Sequence, residues 1–85
     1  MSNNVIDRSQ LTDDREWRDI SDTAFRVYDF GGGDHVIVRY PMWLAVSDTG
    51  NHHIVDGSGN LHIIPPEWIH VRIQKRVGAQ MLARF

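Results

Sequence analysis

The chain has no cysteine among its 85 residues. That absence excludes a disulfide framework, a thiolate metal site and every thiol-based redox mechanism, and it leaves histidine to carry any metal. Long hydrophobic runs are missing as well. No segment approaches the roughly 20 consecutive apolar residues needed to span a bilayer, and the opening MSNNVIDRSQ lacks a charged start followed by an apolar stretch. A soluble, cytoplasmic protein is expected. Acidic residues are absent after Glu67, where four basic groups remain, whereas residues 1–22 carry six acidic and three basic groups. The net charge of −2 therefore hides a chain polarised from an acidic start to a basic end. Lysine is nearly absent, with eight arginines against one lysine, a composition that accords with bacterial or phage origin. With 41% hydrophobic residues, the chain has enough apolar material for one domain with a single core.

What is present is organised around Leu61 to Gln74, LHIIPPEWIHVRIQ. Ile69, Val71 and Ile73 alternate with Trp68, His70, Arg72 and Gln74, the period-two pattern of a strand with one buried and one wet face. Pro65 and Pro66 donate no ladder hydrogen bonds and predict a corner before Trp68. Residues 1–10 are polar and aperiodic and read as a disordered arm, which leaves residues 11–85 as the folded domain. Thr12 to Ser21 predicts a short helix, with Asp13 as cap, Glu16 at capping-box spacing, and Trp17 and Ile20 on one face. From Ala24 the texture becomes all-β. Ala24 to Phe30 predicts a strand with Phe25 and Val27 on one face and Arg26, Tyr28 and Phe30 on the other. His35 to Tyr40 and Trp43 to Ser47 predict strands on either side of a kink at Pro41, and His52 to Val55 predicts a further strand between two turns. Val77 to Phe85 groups Val77, Met81, Leu82 and Phe85 at helical spacing, predicting a short helical tail that could pair with a second subunit.

Three segments, Val27-Tyr28-Asp29-Phe30, Trp43-Leu44-Ala45 and Ile64-Pro65 followed by Trp68-Ile69, resemble in their order the motifs of the Src-homology-3 domain. The resemblance implies a small barrel of five to six strands, flanked here by the short N-terminal helix and the C-terminal tail. It also implies that Tyr28, Phe30, Pro65 and Trp68 line one aromatic surface. The sequence departs from that family between Phe30 and Met42, where eleven residues leave no room for its long acidic loop, and at Met42, which stands where its ligand-contacting tryptophan belongs. The resemblance thus implies the barrel more than polyproline binding.

No pattern of catalytic residues emerges. Gly31-Gly32-Gly33-Asp34 lacks the Lys-Ser or Lys-Thr and the following helix of a phosphate loop and reads as a hairpin turn. The Asp and Asn residues at 48–51 and 56–60 match no EF-hand spacing and serve as turn formers. Ser47 and Ser58 lack an elbow motif and an assignable His–carboxylate partner. Of the five histidines, His53, His62 and His70 are a conceivable three-His metal site, but no carboxylate stands at motif spacing with them, so no metal or other cofactor is expected. The expected function is a non-enzymatic protein-binding module, a phage- or bacterium-encoded regulatory protein that inhibits or recruits one host protein. Its binding residues would be Tyr28, Phe30, Trp68, His70 and Arg72, since clustered aromatics and arginines dominate interface energetics. The alternative is a small-barrel nucleic-acid binder using Arg72, Lys75, Arg76 and Arg84. The chain is expected to act as a monomer or as a homodimer through its C-terminal tail.

Overall fold

The computed structural model describes residues 6–77. A 3-10 turn at Arg8–Gln10 precedes seven strands: β1 (Arg18–Asp19), β2 (Thr23–Gly31), β3 (Asp34–Arg39), β4 (Pro41–Val46), β5 (His52–Asp56), β6 (Leu61–Ile64) and β7 (His70–Lys75). They form two antiparallel sheets, a four-stranded one in the order β1-β4-β5-β6 and a three-stranded one in the order β3-β2-β7.

The chain changes sheet three times, between β1 and β2, between β3 and β4, and between β6 and β7, and at the last two the sequence cannot continue a ladder. Tyr40 takes a φ of 51° between β3 and β4, and Pro65-Pro66 separates β6 from β7. Neither β3 with β4 nor β6 with β7 is hydrogen-bonded. The expected closed barrel is therefore corrected to an open pair of sheets. Tyr28, Val38, Leu44, Ile54 and Ile64 form the core between them, with Ile20, Phe30, Trp68 and Val71 packed at its margin. Burial of such side chains, at about 1.5–3 kcal/mol each, is the main term holding the sheets face to face.

The expected helix over Thr12 to Ser21 does not form, and the described residues contain no α-helix. Asp13 draws its hydrogen bonds locally instead: its carboxylate accepts from the Arg15 amide at 3.2 Å and the Trp17 indole at 3.1 Å. Side-chain bonds of this kind compete with helical ones. Arg18–Asp19 then pairs with Leu44 and Trp43, where the edge of β4 offers partners that an isolated short helix lacks. Of the arm expected over residues 1–10, Ile6 is half-buried, with its carbonyl accepting from the Trp43 indole at 2.7 Å, and Asp7 to Gln10 are exposed. The expected tail at Val77 to Phe85 falls outside the described residues except for Val77. Among the described residues, no helix is long and apolar enough to cross a membrane.

Candidate interaction surface

The two faces of the three-stranded sheet have opposite characters. Inward, Tyr28 lies between Val36 and Val71, and Arg26 between Val38 and Ile73. Outward, alternation presents three rows across β3-β2-β7: Arg39, Phe25, Gln74; then Ile37, Val27, Arg72; then His35, Asp29, His70. Arg39, Ile37, Arg72, His35 and His70 are exposed, and the β2 residues between them are half-buried by their neighbours. The Arg72 guanidinium lies over the Phe25 ring, 5.4 Å from its centroid. A shallow depression of about 500 Å³ runs from this centre to the turn at Gly31 to Gly33, bounded by Val27, Asp29, Ile37 and His70. That turn needs glycine, because all three residues have positive φ. The Asp29 carboxylate holds it by accepting from the Gly31 amide at 2.8 Å.

Among the described residues, this face carries Arg39 and Arg72 with Asp29 between the strands, and Asp34 pairs with Gly31 at its turn end. Asp14, Glu16 and Asp48 lie together with Arg15 near the β4–β5 turn, and Arg15 pairs with Asp13 at 3.2 Å.

The predicted binding residues divide between this face and the core. His70 and Arg72 stand on the outer face, two residues apart on β7. Tyr28 is 0% exposed, so it belongs to the core and not to an open aromatic groove. Phe30 and Trp68 are half-buried at the core margin. Strand alternation placed Trp68 on the wet face, but β7 begins only at His70. The bend before it turns Trp68 inward and leaves Ile69 71% exposed. Of the basic set, Lys75 pairs with Asp22 at 2.8 Å and Arg76 lies over the Tyr40 ring, 5.6 Å from its centroid, leaving Arg72 on the outer face. Arg84 lies outside the described residues.

Behind the face is a buried polar cluster that sequence reading missed. The Tyr28 hydroxyl accepts from Arg26 Nη1 at 3.0 Å and meets His52 Nδ1 at 2.7 Å. The tautomer of His52 sets the direction of that contact, and donation by the hydroxyl to a neutral imidazole is the arrangement that places its one hydrogen. Burial and then the Arg26 charge hold His52 below its ordinary pKa, while burial pushes the Tyr28 hydroxyl up against the opposing pull of Arg26. The Trp68 ring packs edge-on against both, 5.8 Å from Tyr28 and 5.7 Å from His52. Arg26 Nε and Trp68 Nε1 are buried and find no hydrogen-bond partner among the described residues. No local motif announces this cluster, because Tyr28 and His52 meet only through the packing of one sheet on the other.

The conceivable three-His site does not assemble. Register places His53 beside Ala45 and Ile63 and places His62 beside Ile54, on opposite faces of the four-stranded sheet, while His70 lies on the other sheet. His62 Nε2 instead lies 2.8 Å from the Asp56 carboxylate. Among the described residues, no group of three or more His, Asp or Glu side chains is placed to hold a metal. Comparison with protein families, curated proteins and solved structures finds no match to this chain.

Proposed function

We propose that this protein is a non-enzymatic binding module that engages one protein partner through the outer face of β3-β2-β7. The observation that carries this reading is the Arg72–Phe25 pair at the centre of a sheet face that no other described residues cover, flanked by Arg39, Ile37 and His70. Arginine and aromatic side chains on fixed elements are the residues that most often dominate protein interfaces. Arg39 and Arg72 on the face suit a partner that presents acidic groups around an apolar spot. Small size and Arg-rich composition accord with a phage- or bacterium-encoded regulatory protein that occludes or recruits one host protein.

A second reading is single-stranded nucleic acid. An aromatic ring on an antiparallel sheet between two arginines supports it, since bases stack on rings and phosphates pair with guanidinium groups. The two readings separate by salt and nuclease. A protein complex centred on Phe25 and Arg72 survives nuclease and weakens modestly with salt, whereas a phosphate-driven complex weakens steeply as salt rises. Capture from lysate on the immobilised chain, with and without nuclease and across a salt series, is the test. Loss of all captured protein on nuclease treatment overturns the first reading.

A further inference from the structure

The two sheets have four edges, and one differs from the rest. β1 carries Arg18 and Asp19, β3 carries Asp34 and Arg39, and β7 carries Arg72 and Lys75. Charges of this kind discourage edge-to-edge pairing. β6 (Leu61–Ile64) has no Asp, Glu, Lys or Arg. Its two outward residues are large and apolar, with Leu61 55% and Ile63 54% exposed.

The backbone phase of this edge follows from its pairing with β5. The Asp56 amide donates to the Asn60 carbonyl at 3.0 Å, and the register continues through Ile54 opposite His62 and His52 opposite Ile64. Antiparallel pairs alternate between hydrogen-bonded and non-hydrogen-bonded, so residues 60, 62 and 64 direct their N–H and C=O groups toward β5. Leu61 and Ile63 direct theirs to the free edge. Among the described residues, neither backbone finds a partner there.

We infer that β6 is a homodimerisation edge, at which two copies of the chain pair β6 with β6 antiparallel about a twofold axis through His62. This register sets Leu61 opposite Ile63 of the second copy, and Ile63 opposite its Leu61. Both become doubly hydrogen-bonded pairs, and both place apolar side chains together on the same face. His62 meets its own symmetry mate as the non-hydrogen-bonded pair on the axis. A shift by one residue puts outward side chains opposite inward ones. A shift by two in one direction sets Leu61 opposite Pro65, which has no N–H to give, and in the other sets Ile63 opposite Gly59, which has no side chain to pack. The edge therefore complements itself in one register, which is the argument for a second copy as its occupant. The product is a continuous eight-stranded sheet, with both outer faces of the three-stranded sheets left free. Its contact is small, below the roughly 1,200 Å² of standard interfaces, so the dimer forms at high protein concentration.

Sedimentation equilibrium of the full chain, up to about millimolar concentration, is expected to show a reversible monomer–dimer equilibrium. Ile63→Lys, with its circular dichroism and melting curve checked for an intact fold, is expected to remain monomeric throughout. Because the native chain has no cysteine, single cysteines then report the register. His62→Cys is expected to cross-link to itself on mild oxidation, since a non-hydrogen-bonded pair brings Cα atoms to about 4.5 Å, within disulfide range. Ile63→Cys is expected not to do so, and mixing it with Leu61→Cys is expected to restore cross-linking. A chain that stays monomeric, a folded Ile63→Lys variant that still dimerises, or self-cross-linking stronger at Ile63 than at His62 overturns the inference.

Discussion

Tyr28→Phe isolates the contribution of the buried hydroxyl while leaving the ring in the core. The hydroxyl is the hydrogen-bond acceptor the structure gives Arg26, whose Nε finds no partner among the described residues, and it also satisfies His52 Nδ1. Removing it leaves a buried guanidinium without an acceptor and an imidazole nitrogen without a donor. At about 1–3 kcal/mol for each buried group left unpaired, the expected loss is about 2–6 kcal/mol. That is a large share of the roughly 5–15 kcal/mol total of a native domain. Urea unfolding at about pH 7.5 is the assay, with the midpoint read at constant slope. The same cluster makes stability fall with acid. Because burial and Arg26 lower the His52 pKa on folding, the native state binds its proton less readily than the unfolded chain. The resulting stabilisation is fully present above the unfolded value of about 6.5 and is lost as pH falls through the folded value. His53 is lowered too, by burial and then by Arg15 against the opposing Asp13, and adds to the same limb. His52→Gln keeps an acceptor for Tyr28 and is expected to lose less stability than wild type between about pH 7.5 and about pH 5.5. A Tyr28→Phe protein within about 0.5 kcal/mol of wild type, or a His52→Gln protein with an unchanged acid limb, refutes the reasoning.

Asp56 anchors the β5–β6 turn by accepting from the Ser58 and Asn60 amides at 2.9 and 3.0 Å and by contact with His62. Burial raises its pKa, but the bonds from His62, Asn60 and Ser58 outweigh that and hold it below the carboxylate norm. Asp56→Ala is expected to cost about 1–3 kcal/mol in urea unfolding, and a neutral result contradicts the anchoring role. Gly50 has a φ of 90°, and a Cβ there would lie 3.3 Å from Pro66. Gly50→Ala is expected to lower stability by about 1–2 kcal/mol, and an unchanged melting temperature contradicts the strain. Trp43→Phe removes the indole bond to the Ile6 carbonyl. Its expected effect is faster amide exchange and proteolysis near residues 6–11 with a global loss of only about 1 kcal/mol; unchanged local protection contradicts it.

Much of the strand content was legible, because the signals that carry it are local. Phe25 and Val27 alternate against Arg26 and Tyr28 as β2 shows, and the turns at 48–51 and 56–60 stand where their Gly, Asn and Asp residues put them. The helix at Thr12 to Ser21 was misread because Asp13 carries cap chemistry, yet it spends that chemistry on Arg15 and the Trp17 indole. Closure into a barrel was misread because it depends on the crossings between the sheets, those at Tyr40 and Pro65-Pro66 among them, and alternation does not say which strands meet across them. The surface was half legible. His70 and Arg72 share a face by spacing alone, but Phe25, Ile37 and Arg39 join them only through the β2–β3 and β2–β7 registers. Tyr28 and Trp68 look like binding residues in sequence because aromatics serve both cores and interfaces, and only burial distinguishes the two uses.

The central claim is that the outer face of β3-β2-β7, and not an aromatic groove, is the working surface. Its most direct test is nuclease-treated capture with three immobilised proteins of verified fold: wild type, Phe25→Ala with Arg72→Ala, and Val46→Ser, which alters an exposed position on the other sheet. The account predicts one protein retained by wild type and by Val46→Ser and lost by the double variant. Equal retention by all three contradicts it.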